Sequence, residues 1–113
     1  MPAAVREIEP SGLAAAGRDG AVLVDVREPD EYVEGHVPCA RLLPLGSVGR
    51  NAHELRREAH VNRPVYLICR TGVRSADAAL LLERSGVNAV SVAGGTEAWK
   101  AAGLPVVTGP HAC

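Results

Sequence analysis

The sequence predicts an α/β fold built on a mainly parallel sheet, and three observations carry that reading. Short runs rich in β-formers alternate along the chain with stretches of helical apolar spacing. Residues 21–26 and 65–68 are nearly unbroken apolar runs, the pattern of strands covered on both faces. The links between elements are short, and Gly or Pro punctuates most of them. A chain of 113 residues buries roughly two-thirds of the surface its unfolded form exposes. One domain over residues 1–113 is therefore expected, with its core at about 5–107 and a flexible tail at 108–113.

Taken in order, residues 5–8 read as a short strand. Pro10 and Ser11 open a helix, with Ser11 as N-cap and residues 13–16 as its body, and Gly17 and Gly20 end it. Residues 21–26 form the next strand, with Asp25 near its carboxyl end. Glu28 to Tyr32 read as a helical turn. Pro29 pre-sets the first helical dihedral, acids suit the N-terminus, and Gly35 closes it. Residues 40–43 are a short strand stopped by Pro44. Val48, Ala52, Leu55 and Ala59 mark one face of a single helix. Asn62, Arg63 and Pro64 turn into the strand at 65–68. Residues 75–84 form a helix apolar over most of its girth, with Gly86 beyond its end. Residues 89–92 are the last strand. Gly94 and Gly95 turn the chain, and Thr96 caps a helix running to Ala102.

Composition narrows function. The formal charge is −1, so no bulk positive field favours nucleic acid or an anionic membrane. No run approaches the length of a membrane span, and the N-terminus lacks a secretory or transit pattern. The three cysteines, Cys39, Cys69 and Cys113, include no CxxC pair and no zinc-ligand spacing. A disulfide framework is not expected, and a reduced, cytoplasmic setting fits. His53, His60 and His111 read as surface residues, and His36 as structural.

Chemistry concentrates at Cys69, where a strand runs into a loop bearing Arg70, Gly72 and Arg74 and then into a helix. In open parallel sheets, ligands bind at that end of the strands. Loop amides, the helix dipole and the two arginines all favour a thiolate over a thiol. No histidine or acid lies nearby in the sequence to act as general base. Activation is then electrostatic, which suits attack on sulfur with a good anionic leaving group better than amide hydrolysis.

Three blocks now give a resemblance. They are Asp25 to Tyr32 followed by Gly35-His36-Val37-Pro38, then Cys69-Arg70-Thr71-Gly72-Val73-Arg74-Ser75, then Val92 to Trp99. In this order and spacing the chain resembles a single-domain rhodanese, a sulfurtransferase, over about residues 21–107. The resemblance implies a three-layer sandwich with about five strands and helices on both faces. It implies that Cys69 takes a sulfane sulfur from a donor such as thiosulfate and passes it, as a persulfide, to cyanide or a thiol. Residues 69–74 would cradle the sulfur, Arg70 and Arg74 would hold the donor's anionic end, and Ser75 would hydrogen-bond the sulfur. Asp25 and Arg27 would hold loops together. No metal or organic cofactor is implied.

Related cysteine phosphatases leave five residues between cysteine and arginine; here there are four, a cradle better sized for sulfur than for phosphate. The family usually has Gly at the position of Cys39, which marks a site of positive φ or close packing. It also puts a second thiol near the site, and a resolving role toward Cys69 is one expectation, beside a plain buried residue. Two other functions stay open: a sulfur-relay or redox-sensing module loaded by a protein or glutathione persulfide, and a non-catalytic regulatory domain.

Overall fold

The centre of the molecule is a five-stranded sheet of β1 (Glu7–Ile8), β2 (Val22–Asp25), β3 (Arg41–Leu42), β4 (Val65–Ile68) and β5 (Ala89–Val92). The spatial order is β1-β5-β4-β2-β3, and each neighbouring pair is parallel. This is a computed structural model, and it describes residues 5–18 and 20–113; residues 1–4 and 19 of the expected domain lie outside them. Parallel neighbours need crossovers, which helices supply. These are α1 (Pro10–Gly17), α2 (Pro29–Glu34), α3 (Leu45–Val48), α4 (Ala52–Glu58), α5 (Val73–Arg84) and α6 (Gly95–Ala101).

Alternation along each strand divides the core in two. Val24, Val65 and Leu67 pack with Val48, Leu55, Ala78, Ala79 and Leu82 of α3, α4 and α5. Leu23, Ile68 and Val92 pack with Leu13 of α1, Trp99 of α6 and Val37. Both faces of the sheet are thus covered, which is why β2 and β4 read as continuous apolar runs. Fully burying one such side chain stabilises the fold by about 1.5–3 kcal/mol.

Some boundaries differ from the sequence reading. Glu9, not Ser11, occupies the α1 N-cap, because Pro10 takes the first helical position, where its missing N–H costs nothing. The single helix expected around residues 48–59 is α3, a 3₁₀ turn at Gly49–Asn51, and α4. Gly46 and Gly49 weaken helix propagation there.

The tail is the largest departure. Cys39 and Cys113 form a disulfide, and Cys69 is the free thiol. Neither the absence of a disulfide, nor a flexible 108–113 segment, nor Cys39 as a resolving thiol for Cys69 survives this. With Cys39 and Cys113 bonded, cysteine usage no longer favours a reduced compartment. The sequence pattern hid the pairing because 74 positions separate the two cysteines. Cys39 adopts φ +70°, the left-handed conformation that glycine tolerates best. Further bonds fix the tail: Gly109 donates to the Val33 carbonyl at 2.8 Å and Cys39 to that of Ala112 at 2.7 Å. His36 is fully buried, with Nδ1 2.8 Å from the Tyr32 carbonyl and Nε2 2.9 Å from that of His111.

Candidate active site

Parallel register brings the sequence-predicted residues together. Asp25 pairs with Ile68 across β2 and β4, and the Val26 amide donates to the Ile68 carbonyl at 2.9 Å. Both chains leave the sheet at this edge, so the Arg27 and Cys69 segments start side by side. Asp25 is fully buried, and Arg27 pairs with it through Nε–Oδ1 at 3.0 Å and Nη2–Oδ2 at 2.9 Å. Arg27 also donates to the Gly35 carbonyl at 2.8 Å. This buried pair ties the end of β2 to the end of α2. Removing one partner of such a pair costs about 3–5 kcal/mol.

The cradle is shaped from outside. The first amides of a helix have no internal acceptor. Those of Thr96 and Glu97 in α6 take the carbonyls of Cys69 and Arg70 at 2.8 and 3.1 Å. Thr96 Oγ1 adds a bond to the Cys69 carbonyl at 3.0 Å. With its carbonyls drawn outward, the loop turns its amides inward. The Gly72 amide lies 3.0 Å from Cys69 Sγ and the Ser75 hydroxyl 3.4 Å away. Ser75 in turn contacts the hydroxyl of Ser91 on β5 at 2.8 Å.

Burial pushes the Cys69 thiol upward. The Ser75 hydroxyl and the amides of Ser75, Gly72 and Thr71 together outweigh it and hold the thiol below its ordinary value. Cys69 as a whole is 1% exposed, deeper than a site at the rim of the sheet leads one to expect. The loop residues that follow it, Arg70, Thr71 and Val73, are exposed.

The arginines are placed differently from expectation. Arg74, expected to hold the donor's anionic end, grips Glu31 of α2 in a two-pronged pair, Nη1–Oε1 at 2.7 Å and Nη2–Oε2 at 2.8 Å. That contact holds Glu31 down at about 2. It raises Arg74, to which the Cys69 charge adds a smaller push. Arg70 is exposed and sits 3.5 Å from Glu97. Cys39, bonded to Cys113, does not face Cys69 as a free thiol.

Sequence reasoning missed Glu31, Ser91, Gly95 and the loop-holding role of Thr96. Ser91 had a signal, a polar residue inside the apolar run 89–92. Thr96 is not the expected cap; Gly94 holds that position. Among the described residues, no three His, Cys, Asp or Glu side chains are grouped to hold a metal ion. Among them, too, no helix is long and apolar enough to cross a membrane.

A strand, a cysteine, a loop of inward amides and a helix is an arrangement seen in known proteins. The family model described as Rhodanese-like domain matches residues 10–102. The chain belongs to the rhodanese-like family. It is 34% identical over 106 residues to a protein named Sulfurtransferase from Allochromatium vinosum, covering 91% of this chain and 95% of that one. It is 35% identical over 96 residues to Thiosulfate sulfurtransferase GlpE from Pseudomonas syringae, covering 84% and 87%. Other relatives are longer, and the match covers 64% of Bacillus subtilis YqhL. Among solved structures, a rhodanese-related protein from Thermoplasma volcanium superposes with TM-score 0.75 at 30% identity, covering 92% of this chain and 99% of that one. The three-layer α/β sandwich is therefore the rhodanese-like fold.

Proposed function

We propose that this rhodanese-like chain is a sulfurtransferase that carries a sulfane sulfur as a persulfide on Cys69. The observation that carries the reading is the free Cys69 thiol, held below its ordinary value, against burial, by the Ser75 hydroxyl and by the amides of Ser75, Gly72 and Thr71. A thiolate is the competent nucleophile, and a ring of N–H donors stabilises the negative charge that moves onto the outer sulfur. The Cys69 thiolate attacks the outer sulfur of a donor. A new S–S bond forms, the donor's S–S bond breaks, and the electron pair leaves with sulfite when the donor is thiosulfate, or with a thiolate when it is a persulfide. An acceptor thiolate or cyanide then attacks the outer sulfur and restores Cys69. No proton needs to be removed from the nucleophile in the attack, in keeping with a site that offers hydroxyls and amides but no imidazole. Sulfurtransferase names among relatives of near-equal length support the same class. Replacing Cys69 with Ala should abolish sulfur transfer from thiosulfate to cyanide; turnover retained in that variant refutes the assignment.

A further inference from the structure

The two loop arginines do not stand free before the sulfur. Arg74 spends both terminal nitrogens on Glu31, whose Oε1 also accepts the Glu28 amide at 3.1 Å. The pair is partly sheltered, with side chains 33% and 27% exposed. Arg27 is committed to buried Asp25. Beside the loop lies a cleft of about 200 Å³ whose walls include Glu31, Glu34, Arg70, Thr96, Glu97 and Lys100. Arg27, Arg70 and Lys100 there share the walls with Glu31, Glu34 and Glu97, so cations and carboxylates balance.

This is poor ground for a small dianion. Thiosulfate would bring about two negative charges to a thiolate that already carries one, and unlike-charge compensation is what offsets that repulsion. The alkyl persulfide of an amino-acid thiol brings little net charge. Its outer sulfur needs only the amides, and its ammonium and carboxylate both find partners in a wall of mixed sign.

We propose that Glu31 is the residue that sets donor choice: by neutralising Arg74, it turns the site toward thiol persulfides and away from sulfur-oxo dianions. This rests on Cys69 being the persulfide carrier. In the favoured step, Cys69–S⁻ and R–S–SH give Cys69–S–SH and R–S⁻, with the proton staying on the transferred sulfur. Glu31 touches neither donor nor sulfur; it acts through Arg74 as a positioning residue.

The test measures the rate at which one sulfur appears on Cys69 by intact mass, with thiosulfate and with cysteine persulfide, at low salt. Glu31→Gln keeps an oxygen for Arg74 and for the Glu28 amide while removing the charge. It should raise the thiosulfate-to-persulfide rate ratio about tenfold, and added salt should shrink the gain. Arg74→Gln should move the ratio the other way. In the Arg74→Gln background, Glu31→Gln should shift it less than about twofold, since its effect passes through Arg74. An unmoved ratio in both single variants overturns the inference, as does an undiminished Glu31→Gln shift without Arg74. If the wild-type chain takes sulfur from neither donor, the persulfide reading itself fails and the inference falls with it.

Discussion

Gly95→Ala separates the frame that shapes the cradle from the cradle itself. Gly95 has φ +60°, and a Cβ there would lie 2.5 Å from the Cys69 oxygen and 2.6 Å from the carbonyl carbon and oxygen of Arg70. All three are backbone atoms, so no rotamer change relieves the clash. The left-handed conformation alone costs an alanine about 1–2 kcal/mol. Displacing the two carbonyls from the Thr96 and Glu97 amides forfeits about 1 kcal/mol for each bond. The variant should lose about 3–4 kcal/mol in urea unfolding. Gly103→Ala is the control. Its φ is +77° with no heavy atom within 4 Å of the added Cβ, so it should lose only the conformational part. The second readout is the pH dependence of Cys69 alkylation, clean because Cys39 and Cys113 are bonded. In Gly95→Ala the profile should move up toward the unperturbed thiol value of about 8.5; in Gly103→Ala it should stay. Equal destabilisation of the two variants with a wild-type profile in both would refute the claim that α6 turns the loop amides inward.

Two further outcomes follow from the same geometry. Cys113→Ser opens a link spanning 74 positions and should cost about 2–4 kcal/mol, read as a lower urea midpoint; an unchanged midpoint would show that the tail contributes nothing to stability. Glu31 is held at about 2, below its unfolded value of about 4.3. Its stabilisation is therefore complete above the unfolded value and is lost as pH falls through the folded one. The stability gap between wild type and Glu31→Gln, about 1 kcal/mol for a partly exposed pair, should be full at neutral pH and close between about pH 4.5 and 2. A gap that stays constant with pH contradicts the pairing with Arg74.

Much of the fold was legible because covered parallel strands leave a mark. Continuous apolar runs at 21–26 and 65–68, bounded by Gly and Pro, are hard to satisfy any other way. Cys69 stood out for a related reason: a thiol between a strand and a glycine-bearing turn that opens a helix lies where loop amides gather, although the contacts that aim those amides come from α6. The contacts that tune the site were not legible, because they join distant segments. Glu31 reaches Arg74 across 43 positions, and Thr96 reaches the Cys69 carbonyl across 27. In sequence, Glu31 looks like a helix N-terminal acid and Thr96 like a cap, both ordinary roles with local explanations. The disulfide was lost in the same way. Cys39 carried a local signal for positive φ but none for its partner, since nothing near Cys113 distinguishes a pinned end from a loose one.

A buried sulfur ringed by donors should accept another sulfur and hold it. The direct measurement is the intact mass of the chain after exposure to a sulfane donor under non-reducing conditions, with Cys69→Ala alongside. One added sulfur on the wild-type chain, removed by cyanide or thiol and missing from the variant, is the predicted result. An unmodified wild-type chain, or the same added sulfur on Cys69→Ala, would contradict it.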